Sequence, residues 1–235
     1  GWDKGEKISI ETGPVENMAT FEEFYDAYKK QMEYNISLLV NADNAIDVAH
    51  ATRCPLPFLS CMVDDCIKRG KTVQEGGAVY NFTGPQGFGI ANMADSLYAV
   101  KKLVYDEKKV TMAEYKRALA MNYGQGFDAV SAGEIVAEIL REMNKNGMSV
   151  DEAQVAGMIR AVMETEVPAE EKKRYEELRA MIDAVPKFGN DNEEVDMFAR
   201  DVAYTYTKPL LKYRNPRGGQ FQAGLYPVSA NVPLG

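Results

Sequence analysis

A chain of 235 residues can bury a sizeable core and is most simply one domain, or a piece of a larger one. Its net charge of −8 and pI near 4.9 argue against a nucleic-acid surface or a patch for anionic membranes. No apolar run approaches the roughly 20 residues of a membrane span, the polar start lacks a signal-peptide pattern, and an odd count of cysteines (Cys54, Cys61, Cys66) points to a reducing, cytoplasmic setting.

Residues 1–19 carry Gly5, Gly13 and Pro14 without helical period, which predicts a loop. Thr20 and Glu23 form a capping box, and Phe21, Phe24, Tyr28, Met32 and Leu39 follow the helical period until Cys54-Pro55-Leu56-Pro57 breaks it. A shorter helix is expected over 58–69, closed by Gly70 as a left-handed terminal residue. Next come a short strand at 79–82, a glycine-rich turn at 84–89 and a helix from near Ile90 to about Tyr105. Thr111 and Glu114 cap a helix reaching Asn122, interrupted by Gly124-Gln125-Gly126. Two amphipathic helices are expected over 128–166, split at Gly147, the second begun by Ser149 with Glu152. Pro168 opens a helix at 169–185, a long helix follows at 193–213, and 220–234 alternates as an extended segment would. The pattern is α/β but predominantly helical. Two widely spaced strands cannot satisfy their own edges, so the chain reads as a fragment whose strands pair with sequence outside it.

Glycines at 84, 87 and 89, at a strand-to-helix junction, suit a site rim where a backbone or ligand approaches closely. A phosphate-binding Walker loop needs Lys-Ser or Lys-Thr after its last glycine, and Ile90-Ala91 stand there instead. The dinucleotide fingerprint fits in part: Asp106 and Glu107 lie about 20 residues on, but Asn92 replaces the third glycine. His50 is the single histidine, so a metal site lacks ligands and a helix-surface or hydrogen-bonded histidine is expected. No Cys-x-x-Cys occurs, and Asp64-Asp65 beside Cys66 would raise its thiol pKa and blunt it as a nucleophile. Glu170-Glu171 and Glu193-Glu194-Asp196 are expected in first turns of helices, facing water. Arg217-Gly218-Gly219 could bind an anion or satisfy carbonyls beside a tight turn, and the structural role is favoured.

The segment from Gly76 to Leu97, continued by Tyr98-Ala99-Val100-Lys101-Lys102-Leu103-Val104, resembles a segment of the glycyl radical enzymes, the pyruvate formate-lyase-like proteins that include glycerol, diol and hydroxyproline dehydratases. Three further blocks keep the family's order: Thr12-Gly13 with Thr20-Phe21-Glu22-Glu23-Phe24 and Gln31; Pro186-Lys187-Phe188-Gly189-Asn190-Asp191 with Val195-Asp196; and Arg217-Gly218-Gly219 with the run from Tyr226 to Gly235. The resemblance implies part of a β/α barrel of two facing half-sheets surrounded by helices. It implies a glycyl radical, installed by a radical S-adenosylmethionine activase, that passes to a cysteine whose thiyl abstracts hydrogen from substrate. A cavity closed to water and oxygen follows, and with it anaerobic metabolism. The family's Gly-Cys-Val-Glu-type and Arg-Val-x-Gly-Tyr/Phe loops are absent from these 235 residues, so Cys54, Cys61 and Cys66 inherit no catalytic role and no cofactor is expected on this chain.

By the same resemblance Tyr226 is a candidate substrate-cavity wall with a hydroxyl to orient a small polar substrate; a tyrosine packed in a barrel core is the equal alternative. Residues 128–170 read as a helical insertion docking outside the barrel. The implied partners are the remaining parts of the parent enzyme, its activating enzyme and a second copy in a homodimer. The functional expectation is a segment of a dehydratase or lyase, inactive alone. The alternatives are a segment of a formate acetyltransferase, which uses coenzyme A and pyruvate, and a non-catalytic helical interaction module.

Overall fold

The computed structural model describes residues 8–225 apart from Asp128, Gly147 and Ser149. Helix α1 (Phe21–Arg53) is capped by Thr20, whose Oγ1 accepts from Glu23 N at 3.2 Å; Glu23 Oε2 accepts from Ala19 N at 2.7 Å, one residue before the cap, so the expected box is not closed on Thr20 itself. The helix expected over 58–69 is two, α2 (Pro57–Cys61) and α3 (Cys66–Arg69). The break lies at Asp65, which takes a left-handed φ of 72° and whose carboxylate receives Arg69 at 2.8 Å. Gly70 closes α3 with φ 61°, as its position predicts.

No strand forms at 79–82. The carbonyls of Asn81 and Phe82 are taken by the side chains of Asn215 and Arg217 rather than by a neighbouring strand. Pairing begins one residue later, where Thr83 bridges Phe221 and Gln86 bridges Gly224, both in parallel. Pro85 has no N–H to donate, which keeps the ladder in pieces. The two extended segments are therefore each other's neighbours, a correction to the expectation that both pair only with sequence outside the chain.

Helix α4 (Ile90–Val100) runs into a π-helical turn, Lys101–Asp106, where Glu107 N donates to Lys102 O at 2.8 Å. Helix α5 (Met112–Ala120) is capped by Thr111 and ends before Tyr123, whose φ of 51° no helix tolerates. Helices α6 (Ala129–Lys145) and α7 (Glu152–Met163) follow. Gly147 and Ser149 lie outside the described residues, and α7 is capped by Asp151 in a reciprocal box with Gln154. Helix α8 (Ala169–Ala184) starts after Pro168, and α9 (Glu193–Leu210) starts where Asn192 Oδ1 accepts from Val195 N at 3.2 Å.

These elements form two compact units. The first comprises Gly1–Tyr98 and Lys187–Gly235. Its core joins Ile36 and Val40 of α1 to Tyr206 and Leu210 of α9 and to Phe221, which is fully buried. Burial of Phe221 alone is worth about 2–3 kcal/mol. A second cluster sets Ala94 and Leu97 of α4 against Ala199 and Val202 of α9, bordered by the rings of Phe24, Tyr25, Tyr28 and Phe198. The second unit is Ala99–Pro186. There α6 packs on α7, and Tyr115, Ala118 and Met121 are buried, as are Tyr175 and Leu178 of α8. Arg117 meets Glu171 at 2.8 Å and Arg174 meets Glu114 at 2.6 Å, half-exposed pairs that hold α5 and α8 in register.

Candidate functional site

The parallel segments are fastened by a polar clasp that α1 and the turn after α9 bring to Thr83. Asn215 Nδ2 donates to Asn81 O at 2.5 Å and to Thr83 Oγ1 at 2.8 Å, while Asn215 Oδ1 accepts from Gly219 N at 2.8 Å. Asn215 is 6 % exposed, so each of these bonds forms away from water, where an unmade one would be costly. Arg217 Nη2 donates to Thr83 Oγ1 at 3.0 Å and its Nε donates to Asp47 of α1 at 2.9 Å. Side chains of that pair are 18 % and 20 % exposed, so the ion pair is largely shielded from water. The turn needs Gly219: a Cβ there would stand 1.9 Å from Asn81 O, so the two backbones touch.

Beyond the clasp the segments run to Gly87 and Leu225, and at these carboxyl ends a cleft of about 380 Å³ opens. The start of α4 (Ile90, Ala91) lines one side, Phe188 and Ala199 another. Sites in sheets of parallel strands lie at this end because side chains diverge there and helix N-termini point in. Its polar members are engaged: Asp196 Oδ1 accepts from Gly189 N at 2.8 Å, and Arg200 contacts Asp201 and lies over the Tyr204 ring. The cleft therefore offers shape and apolar contact rather than an acid–base pair. Gly87 lies against the Tyr206 ring, where a Cβ would approach to 2.7 Å. Tyr206 is itself shifted: burial, then the charge of Asp43, pushes its hydroxyl pKa up, and burial, then Asp47, raises Asp43.

The residues singled out in sequence are scattered. Tyr226 lies outside the described residues. His50 is exposed on α1, and no group of three or more metal-binding side chains occurs among the described residues. Cys54 and Cys61 are exposed, and Cys66 is core. Arg217 takes the structural role, its donors spent on Asp47, Thr83 and Phe82 O. Glu170 and Glu171 fall in the first turn of α8 as expected; Glu170 is exposed, and Glu171, half-buried, also meets Arg117 and Tyr175. Asp47, Thr83 and Asn215 are not among the residues that the sequence pattern singles out as a site. Nothing local marks Asp47, whose partner lies 170 residues away.

Comparison with known proteins adds relatives along the whole chain. The pyruvate formate lyase-like family model matches residues 1–235. The chain is 28% identical over 229 residues to trans-4-hydroxy-L-proline dehydratase of Clostridioides difficile, covering 97% of this chain and 23% of that protein. Among solved structures, one described for 1,2-propanediol dehydration in Roseburia inulinivorans superposes with a TM-score of 0.90 at 61% identity, covering 98% of this chain and 28% of that one. The glycerol-bound B12-independent glycerol dehydratase of Clostridium butyricum superposes at 0.72 with 43% identity, covering 99% and 23%. The chain thus spans about a quarter of the length of each.

Proposed function

The chain belongs to the pyruvate formate lyase-like family of glycyl radical enzymes, and from that premise we propose that it is one segment of a dehydratase acting on a small vicinal diol of the 1,2-propanediol kind. The observation that carries this reading is the 61% identity, at a TM-score of 0.90, to the protein of propanediol dehydration, against 43% to the glycerol enzyme and 28% to the hydroxyproline enzyme. The net reaction removes one water from the diol and leaves an aldehyde.

In the complete enzyme the glycyl radical supplies hydrogen-atom abstraction through a cysteine. The cysteines here do not fit that task, two lying exposed and one in the core, so no step passes through them. What this chain contributes is wall and alignment. The clasp holds 83–87 against 220–224, and Tyr226, two residues beyond the Gly224 bridge, is the side chain we assign to the substrate cavity. Helices α6 and α7, within 128–170, form a peripheral insertion. Partners are the rest of the polypeptide, a radical S-adenosylmethionine activating enzyme and a second copy, in an anoxic cytoplasm. The 235 residues alone turn over nothing.

The test is anoxic assay of the full-length polypeptide with its activating enzyme, offering 1,2-propanediol, glycerol, trans-4-hydroxy-L-proline, and pyruvate with coenzyme A. Propionaldehyde formation is expected with a kcat/KM at least about tenfold above the other substrates, the discrimination one pocket contact provides. Turnover of hydroxyproline or pyruvate without turnover of a diol would sink the assignment.

A further inference from the structure

The parallel pair has two faces, and its register sorts the residues between them. Thr83 stands beside Phe221 and Gln86 beside Gly224, so bridged residues share a face and neighbours along each segment alternate. One face carries Phe221, Gly87 and Leu225 and lies toward α1 and α9. Phe221 is buried in their core, and a Cβ on Gly87 would meet Tyr206 at 2.7 Å and Leu225 at 2.9 Å. The other face carries Phe82, Gly84, Gln86, Gln222 and Gly224. Exposure follows the same alternation: residues 82, 84, 86 and 222 are exposed, whereas 83, 85, 87 and 221 are not.

That second face is not composed as a packing surface. The register sets Gly84 beside Gln222, so each glutamine has a glycine for its lateral neighbour. Parallel strands are covered on both faces, and an apolar cover would rest on branched side chains. Two amides and two glycines leave a hollow with polar walls instead. Gln86 is fixed within it. Its amide lies across Gly224, where a Cβ would collide with Oε1 and Nε2, and Nε2 donates to Gly84 O at 2.9 Å. Oε1 accepts from no described residue, and the second N–H of the amide is equally open.

An open acceptor beside an open donor complements an alcohol, whose hydroxyl gives one hydrogen bond and takes another. We propose that Gln86 is a specificity-determining residue of the substrate site: its amide, seated on Gly224, pairs with a hydroxyl of the diol, with Gln222 diagonally across on the same face. The inference rests on reading the chain as part of a diol dehydratase. Continued two residues past Gly224, the alternation arrives at Tyr226, which lies outside the described residues and is the side chain assigned to that cavity. The amide carries no charge, so it reads the hydroxyl without taking a proton from it.

The test is calorimetric titration of the full-length polypeptide, not activated, with 1,2-propanediol, glycerol and trans-4-hydroxy-L-proline, comparing the parent with Gln86→Met and Gly224→Ala. Methionine keeps the length of glutamine and removes both polar atoms. The methyl of Gly224→Ala displaces the amide from its seat while leaving glutamine in the chain. Each variant should weaken the ligand that the parent prefers at least about tenfold, the loss expected when a site's polar partner is removed. After activation, kcat/KM for that ligand should fall by a similar factor while the glycyl radical signal keeps its parental intensity, which a misfolded variant would not show. Affinity of Gln86→Met within about twofold of the parent overturns the proposal, as does a parent that binds none of the three alcohols. If Gly224→Ala fails to fold, Gln86→Met, at an exposed position, decides alone. A parent that prefers hydroxyproline, and loses it on Gln86→Met, retires the diol reading and keeps Gln86 as the hydroxyl reader. Diol binding untouched by Gln86→Met does the reverse.

Discussion

Replacing Gly219 with alanine would set a methyl carbon 1.9 Å from the carbonyl oxygen of Asn81 and 2.2 Å from its carbon, where ordinary contact begins at 3.4 Å. Both obstacles are backbone, so the turn and the 81–83 segment must part by about 1.5 Å, the shortfall between those distances. Displacement of that size breaks the bonds nearest the turn: Asn215 Nδ2 to Asn81 O, Thr83 N to Gln220 O at 3.2 Å, and Gln222 N to Thr83 O at 2.8 Å. Three lost hydrogen bonds at about 1 kcal/mol each, with an overpacking cost of about 1–3 kcal/mol, give a local loss of roughly 4–6 kcal/mol. The assay is native-state hydrogen exchange of the amides of Thr83, Gly87, Gln222 and Gly224, all donors in the parallel pairing. Gly219→Ala should lower their protection by at least about 100-fold while leaving the second unit unchanged. Protection within about fivefold of the parent protein would refute the argument, because the turn would then accept a side chain without moving its neighbour.

Gly157, in the middle of α7, has no atom within 4 Å of a built Cβ, so Gly157→Ala should raise stability by about 0.5–1 kcal/mol in a thermal melt. Arg217→Lys keeps the charge but not the fork that reaches both Asp47 and Thr83; a loss of about 1–2 kcal/mol is expected, and a double-mutant cycle with Asp47→Asn should show coupling. The hydrogen bond from Arg117 holds the Glu171 carboxyl below its ordinary value, against the opposing effect of burial. The folded state therefore favours the carboxylate: the stabilisation is whole at neutral pH and drains away as pH falls below about 4.5, and Glu171→Gln should flatten that loss in acid titrations. Burial, then Tyr28 and Asp201, pushes the Tyr25 hydroxyl up to about 12, so its contribution is complete below pH 10 and is lost as pH rises through 12. Tyr25→Phe should blunt that alkaline loss and cost little at pH 7, because the hydroxyl is buried without a hydrogen-bond partner among the described residues.

Helix starts were legible because their causes are local. Thr20 with Glu23, Thr111 with Glu114, and Pro168 sit within one turn of what they cap, and each marks the observed boundary. Ends and breaks were less so: nothing in Asp64-Asp65 announces a left-handed Asp65, and 101–106 carries no sign of a π-helical turn. The extended segments were noticed, but not that they meet, since parallel pairing leaves no turn between the partners to read. The clasp was invisible for the same reason. Asp47, Asn81 and Asn215 are ordinary polar residues until the fold brings them to Thr83 and Arg217. The family resemblance supplied what local pattern could not, placing the chain among the pyruvate formate lyase-like proteins.

The bridge from Thr83 to Phe221 closes a loop of well over a hundred residues, with the whole of Ala99–Pro186 inside it. Closing so long an excursion is slow, because chain entropy must be surrendered before any contact rewards it. The first unit should therefore reach its final register late in folding, after the helices between have formed and the intervening unit has condensed. The entropy cost rises only logarithmically, about 0.6 kcal/mol for each doubling of length. The stretch between the bridged residues is then free to grow or shrink from one relative to the next while the joint that spans it stays the same.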